Sequence, residues 1–216
     1  MMQITITDLR ALDGDSLVAV HVLILSEDGE RDSRVYHILP EQYAAMRLTV
    51  GNMNCETVDA LEHSARLCEA IRKGVHLLSY GAQSEKTLKQ KLRARGISPN
   101  LAAEAADYLA RRGLMNESED ALRLAQNCRR KHWGMRRILS HLFEKGYSES
   151  IVHAVQAELE EVDFVPDCVV LIRAKYGLPE TKEERQKTIA ALMRYGYSMS
   201  EIRCALETVA RECEDV

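Results

Sequence analysis

The residues of this 216-residue chain best placed to do chemistry are cations. Lys86, Lys89 and Arg93 recur at helical spacing on one face, and Arg129, Arg130, Lys131 and His132 lead into a Trp133-Gly134 turn that Arg136 and Arg137 follow. Lysines and arginines held on one face of a rigid element can neutralise successive phosphates or line an acidic protein groove. An indole among them can stack on a base or anchor an interface. The same residue types are good solvated helix formers, and a lone Trp at a helix end more often packs than binds. Divided by segment, residues 1–70 hold 5 Lys and Arg against 12 Asp and Glu, residues 71–147 hold 16 against 7, and residues 148–216 hold 8 against 14. A basic middle therefore lies between acidic ends, which reads either as a footprint for a polyanion or as charge balanced within the molecule.

Other chemistry has little support. The chain has no G-x-x-x-x-G-K-[ST] loop, no G-x-G-x-x-G after a strand, no G-x-S-x-G elbow and no H-E-x-x-H. The histidines at 21, 37, 63, 76, 132, 141 and 153 are dispersed over different elements, and the cysteines at 55, 68, 128, 168, 204 and 213 show no paired spacing. The cysteines read as reduced, mostly buried thiols of a cytoplasmic protein. There is no run of 18 apolar residues and no basic leader before an apolar stretch, so no membrane is expected. The expectation is a binding protein, not an enzyme, with no cofactor and no metal site.

The elements that must position the cations are announced by a phrase recurring every fifty residues: Leu92 to Gly96-Ile97-Ser98, Leu142 to Gly146-Tyr147-Ser148, and Leu192 to Gly196-Tyr197-Ser198. Each copy holds a Gly for the left-handed position after a helix, an apolar residue to fold back on the last turn, and a Ser to cap the next helix. Apolar positions repeat around it: Leu88 and Ile138; Ala102, Val152 and Ile202; Ala105, Val155 and Ala205; Leu109, Leu159 and Val209. Ser198 and Glu201 form a capping box, while Glu201 and Thr188 interrupt the apolar stripe of the third copy. Further helices are expected over 70–80, about 121–131 and 163–176, with Pro166 in a first turn. The fold class expected is mainly α: three tandem three-helix repeats in an elongated array, with a small N-terminal antiparallel β-region.

That β-region rests on residues 2–9 and 17–25, joined through Asp13-Gly14-Asp15, and a third strand over 34–39 after the turn at 27–30. Pro40 opens a short helix, and a longer one starts near Glu56. The boundaries expected are a β-region with a short helix over 1–54, a connecting helix over 55–69, and repeats over 70–116, 117–161 and 162–216.

These residues resemble the RecX regulatory family. Leu77-Leu78-Ser79-Tyr80, then Ser84-Glu85-Lys86, Leu88, Lys91-Leu92 and Gly96, are similar to its first repeat; Gly113-Leu114-Met115-Asn116-Glu117 is similar to the junction that follows. Gly134, Arg136-Arg137-Ile138, Leu142 and Lys145-Gly146 are similar to the second-repeat core. Lys175-Tyr176-Gly177 and Ala191 to Ser198, with Ile202 and Leu206, resemble the third. The chain departs from the family pattern at Gly81, where an Arg is usual, and at Asp120, where an aromatic is usual.

The resemblance implies a non-enzymatic modulator that binds the RecA filament on DNA and lowers its ATPase, strand-exchange and co-protease activities in recombination, repair and the SOS response. Lys86, Lys89, Arg93, Arg129, Arg130, Lys131, Arg136 and Arg137 are the candidate contacts to the filament or to DNA. Direct binding of single- or double-stranded DNA without sequence preference can accompany that role, and a monomer is expected. The alternative is a DNA binder of helix-turn-helix type acting without RecA, because three short helices with a tight Gly turn share that outline. Its reading helix would be residues 98–112, which offer Asn100, Arg111 and Arg112 around a middle of Ala, Glu and Leu, a poor set for reading base edges.

Overall fold

The structure, a computed structural model, describes residues 3–12, 16–26 and 28–214. Residues 1–81 with 88–114 form one compact unit, and residues 82–87 with 115–216 form a second.

The first unit opens on runs rich in β-branched residues that make strands β1 (Gln3–Leu12) and β2 (Leu17–Leu25), and the more polar β3 (Arg31–Ile38) follows. β1 pairs antiparallel with β2 from Gln3↔Leu25 to Leu12↔Leu17, with a bulge between Ile6 and Asp8, and β3 pairs with the other side of β2. The turn expected at Asp13-Gly14-Asp15 lies outside the described residues. Helix α1 (Pro40–Met46) follows, and then a strand the sequence reading lacked: β4 (Gly51–Met53) pairs with Ile4–Ile6 and makes the sheet four-stranded, in the order β3-β2-β1-β4. Three residues that include Gly and Asn show no period-two pattern. Their strand geometry comes from the open edge of β1, where Asn52 Oδ1 also accepts from Thr5 Oγ1 at 3.0 Å and Gln3 Nε2 at 3.2 Å.

Helix α2 (Cys55–Leu78) is capped by Asn54, whose side chain accepts from the Thr57 N–H. It runs without a break through the segment read as a connecting helix and on through the first helix of repeat one. Its Leu61 closes the sheet core of Ile4, Ile6, Val18, Val20, Val22 and Ile38. Farther along, α2 packs on α4 (Pro99–Arg111) so closely that a Cβ on Gly74 would come within 2.5 Å of Leu109 Cδ1. Leu88 and Leu92 of α3 (Glu85–Ala94) are fully buried.

The second unit holds the first turn of α3 and helices α5 (Glu117–Arg129), α6 (Met135–Glu144), α7 (Glu149–Glu160), α8 (Val165–Lys175), α9 (Lys182–Arg194) and α10 (Met199–Glu214). Ile138, Leu142, Val155, Phe164, Ile172 and Leu192 lead one apolar core, together with Tyr197, which is completely buried. Truncating any of these Ile or Leu side chains to Ala costs about 2–5 kcal/mol.

The recurring phrase folds as its residue types require. Gly96, Gly146 and Gly196 sit at φ +84°, +85° and +96°. The N–H of each following residue, Ile97, Tyr147 and Tyr197, donates to the carbonyl of Leu92, Leu142 and Leu192, the long bond of a Schellman turn. Ser98, Ser148 and Ser198 then accept from the N–H groups of Leu101, Ile151 and Glu201, and Glu201 accepts from the Ser198 N–H at 2.6 Å. Thr188, which interrupts the apolar stripe, is nevertheless buried.

Candidate polyanion-binding surface and the junctions that carry it

Within the second unit, two Schellman turns dock backward onto the starts of earlier helices, each at the same interval. The turn at Lys145-Gly146 meets the start of α3. The Ser84 hydroxyl donates to the Lys145 carbonyl at 2.7 Å, Thr87 Oγ1 donates to it at 2.8 Å, and Ser84 Oγ accepts from the Thr87 N–H at 3.2 Å. Nearby, the Glu85 N–H donates to Glu117 Oε1 at 2.7 Å. Fifty residues on, the turn at Tyr195-Gly196 meets the start of α6, where Gly134 N donates to the Tyr195 carbonyl at 2.8 Å and Arg136 N to the Gly196 carbonyl at 3.2 Å. There the backbones nearly touch: a Cβ on Gly134 would lie 2.5 Å from Gly196 C, and one on Gly196 would lie 2.4 Å from Arg137 N.

The second junction is reinforced by side chains. The Arg137 guanidinium stacks 4.0 Å from the Trp133 ring centre and 5.1 Å from that of Tyr195, and Lys175 Nζ donates to the Tyr195 hydroxyl at 2.7 Å. That ammonium lowers the Tyr195 pKa below its ordinary value, and the tyrosine in turn raises that of Lys175. The Tyr197 hydroxyl donates to the His132 carbonyl at 2.8 Å, and burial drives its pKa upward. His132 holds a left-handed φ of +55° in the cap of α5, the place Gly takes in the other turns.

The eight candidate cations divide by what they already touch. Arg129 Nε donates to Asp167 at 2.8 Å and its guanidinium lies over Phe164, so it ties α5 to α8. Arg137 is the stacked pin just described. Arg130 is exposed and, among the described residues, bonds only to Asn127, one turn back. Lys89 is half-buried. Lys86, Arg93, Lys131 and Arg136 are exposed, and their side chains make no ion pair or hydrogen bond among the described residues. Lys86 and Arg136 are fifty residues apart, each second in its helix and each beside a docked turn: Lys86 Cβ lies 3.5 Å from a Cβ built on Gly146, and Arg136 N bonds the Gly196 carbonyl. Sequence reasoning missed Lys145 and Lys175. Both lie on the C-terminal side of their helices, and only the backward docking of the turns brings them to the junctions.

The remaining titratable groups do other work. Cys68, Cys128 and Cys168 are buried, Cys55 and Cys204 are exposed, and burial pushes the Cys168 thiol up to about 12, far from a reactive thiolate. Among the described residues no cluster of His, Cys, Asp and Glu is arranged to hold a metal ion, and no helix is long and apolar enough to cross a membrane. In α4 the middle of the would-be reading helix is committed to packing, with Ala102, Ala105, Ala106 and Leu109 buried; Arg112 bonds Glu41 at 2.6 Å, as does Tyr108 at 2.7 Å.

Three-helix units linked by capped left-handed turns, following a small antiparallel sheet, define a helical-repeat protein that displays unpartnered cations at the joints between units. Residues 70–113 match the family model described as RecX, first three-helix domain. The chain is 30% identical over 137 residues to the regulatory protein RecX of Xanthomonas campestris pv. campestris (strain B100), spanning 62% of this chain and 84% of that one. It is 27% identical over 152 residues to the regulatory protein RecX of Clostridioides difficile (strain 630), spanning 69% and 71%. A crystal structure of regulatory protein RecX shares the fold with a TM-score of 0.72 at 16% identity, over 93% of this chain and 97% of that one. RecX from Lactobacillus salivarius shares it with a TM-score of 0.60 at 19% identity, over 67% and 97%. The chain belongs to the RecX family of regulatory proteins.

Proposed function

We propose that this RecX-family protein regulates the RecA recombinase by binding the RecA filament on DNA and lowering its ATPase, strand-exchange and co-protease activities. The observation that carries this reading is the repeat of an exposed, unpartnered cation at the start of successive middle helices, Lys86 and then Arg136, with Lys131 close by in sequence. A surface that repeats its charge suits a target that repeats its own, and several weak contacts to one filament add through effective concentration. The domain reading belongs with it: repeats over 70–116, 117–161 and 162–216 act as the filament-facing part, and the β-region over 1–54 joins them through the helix over 55–69.

DNA recognition by α4 has less support, because the helix buries its middle, and among the described residues its polar side chains without an ion pair or hydrogen bond are Asn100, Asp107 and Arg111. The test is the single-strand-dependent ATPase of the RecA from the same source, titrated with this protein while single-stranded DNA is in excess. Wild type should inhibit below one protein per RecA. The double variant Lys86→Glu, Arg136→Glu should need about tenfold or more protein for the same effect while melting like wild type. Equal inhibition by the variant removes these cations from the site, and no inhibition by wild type overturns the reading.

A further inference from the structure

The first unit carries a groove that the basic helices do not use. β3 is an outer strand of the sheet, eight residues long and exposed along most of its length, whereas the opposite edge strand β4 has only three. A cleft of about 760 Å³ runs between β3 and α2. On the strand side it is lined by four consecutive residues, Arg34, Val35, Tyr36 and His37. Side chains of a strand alternate between faces, so a cleft that meets both sets lies along the open edge, where backbone N–H and C=O groups are unpaired. On the helix side the lining runs from Glu62 to His76, about 20 Å of one helix face. An open strand edge that faces a helix across a cleft is a place where an extended segment can be held by strand addition.

The charge of the groove is specific. Residues 1–70 hold five cations against twelve acids, yet Arg34 and Arg66 converge here and α2 adds Arg72 and Lys73. The two acids of the lining are already engaged: Glu62 takes Arg34 at 3.3 Å, Arg66 at 3.5 Å and the Tyr36 hydroxyl at 3.3 Å, and Glu69 takes Lys73 at 2.6 Å. Arg72 is exposed and has no ion pair or hydrogen bond among the described residues. Val35, on the other alternation set, is 47% exposed.

We propose that this groove is a docking site for an extended acidic protein segment, added as a fifth strand along β3. Its carboxylates, at alternate positions, meet Arg72 and Arg66, and its intervening apolar side chains cover Val35. Main-chain bonds to the β3 edge supply the register, and the cations select the sign of charge.

The test uses the full chain and a fluorescein-labelled hexapeptide, Val-Glu-Val-Asp-Val-Glu, read by anisotropy and by amide hydrogen exchange. The peptide should bind and slow exchange at residues 34–37. A Val-Lys-Val-Lys-Val-Lys peptide should bind at least about tenfold more weakly, as should a copy of the acidic peptide methylated at alternate backbone nitrogens. Arg72→Glu should weaken the acidic peptide by a similar factor with an unchanged melting temperature, and the double variant Arg66→Glu, Arg72→Glu should reverse the preference toward the lysine peptide. The proposal is overturned if no peptide binds, if the methylated copy binds as well as its parent, or if protection maps to residues 86–137 instead. Displacement of the acidic peptide from residues 34–37 by a single-stranded oligonucleotide would make the groove a nucleic-acid site and overturn it as well.

Discussion

The two junctions of the second unit hold the same place in the fifty-residue register and are made by different chemistry. At the start of α3 the docked turn is held by hydroxyls, with Ser84 and Thr87 both donating to the Lys145 carbonyl. At the start of α6 the position of Ser84 is taken by Gly134, and the turn is held by main-chain bonds at a separation that leaves no room for a Cβ on either side. A hydroxyl-bonded junction keeps the backbones far enough apart to carry a side chain at position 84; a backbone-bonded one draws them together and admits only glycine at position 134. Aromatic and cationic residues gather at the second junction, where Arg137 lies against both Trp133 and Tyr195, whereas at the first the equivalent residues are Thr87, Gln83 and Lys145. A shared register thus specifies where two units meet without specifying how they hold.

The difference can be broken most forcefully at the tight junction. Gly196→Ala places a Cβ 2.4 Å from Arg137 N at a positive φ, and Gly134→Ala places one 2.5 Å from Gly196 C at an ordinary φ of −74°. Each should lose about 3 kcal/mol in chemical denaturation. Because Gly134→Ala adds no dihedral strain, its loss isolates the close approach, and a neutral result would show that the turn is not docked.

At the looser junction, Gly146→Val should lose about 2 kcal/mol, since a β-branched residue at φ +85° is strained and its Cβ would lie 2.9 Å from Ser84 Oγ. A melting midpoint equal to wild type would contradict the turn. Ser84→Ala should cost about 1 kcal/mol, because Thr87 still reaches the Lys145 carbonyl; the double variant with Thr87→Val should cost more than the two singles together if both hydroxyls serve one acceptor.

Arg137→Ala should cost about 1 kcal/mol of stability, while Arg136→Glu, whose exposed side chain makes no ion pair or hydrogen bond among the described residues, should leave the melting curve in place. This pair separates a residue that builds the junction from one that is free to meet a partner. The smallest effect is spectroscopic. In an ultraviolet titration Tyr195 should ionise below the ordinary value of 10.0, whereas Tyr147 and Tyr197 ionise above it, and Lys175→Met should move Tyr195 back. A depressed tyrosine pKa contributes stability that is fully present above pH 10.0 and is lost as pH falls through the lowered folded-state value, so the substitution should leave stability at pH 7 unaffected by the ionisation of Tyr195.

The turns were legible because every residue in them acts locally. Gly at a left-handed position, an apolar residue after it and a Ser cap need only their own neighbours in sequence, and all three copies fold that way. Strand β2 was legible from its β-branched run. Strand β4 was not, since Gly51–Met53 becomes a strand only through the vacant edge of β1. Of the candidate cations, helical spacing singled out Lys86 and the turn at Trp133-Gly134 singled out Arg136, but neither signal distinguishes these exposed residues from Arg129 and Arg137, which are drawn inward by Asp167 and Tyr195 from other elements.

By itself, then, the sequence determined the helices, their caps and the fifty-residue period, because those depend on hydrogen bonds that close within five residues or on apolar spacing along one helix. Only the tertiary structure decided which cations remain free, where the turns dock and that β3 keeps an open edge beside α2. Those outcomes depend on groups brought together from distant positions, as when the Tyr197 hydroxyl reaches the His132 carbonyl 65 residues away, and sequence distance carries no record of such partners until the chain is packed.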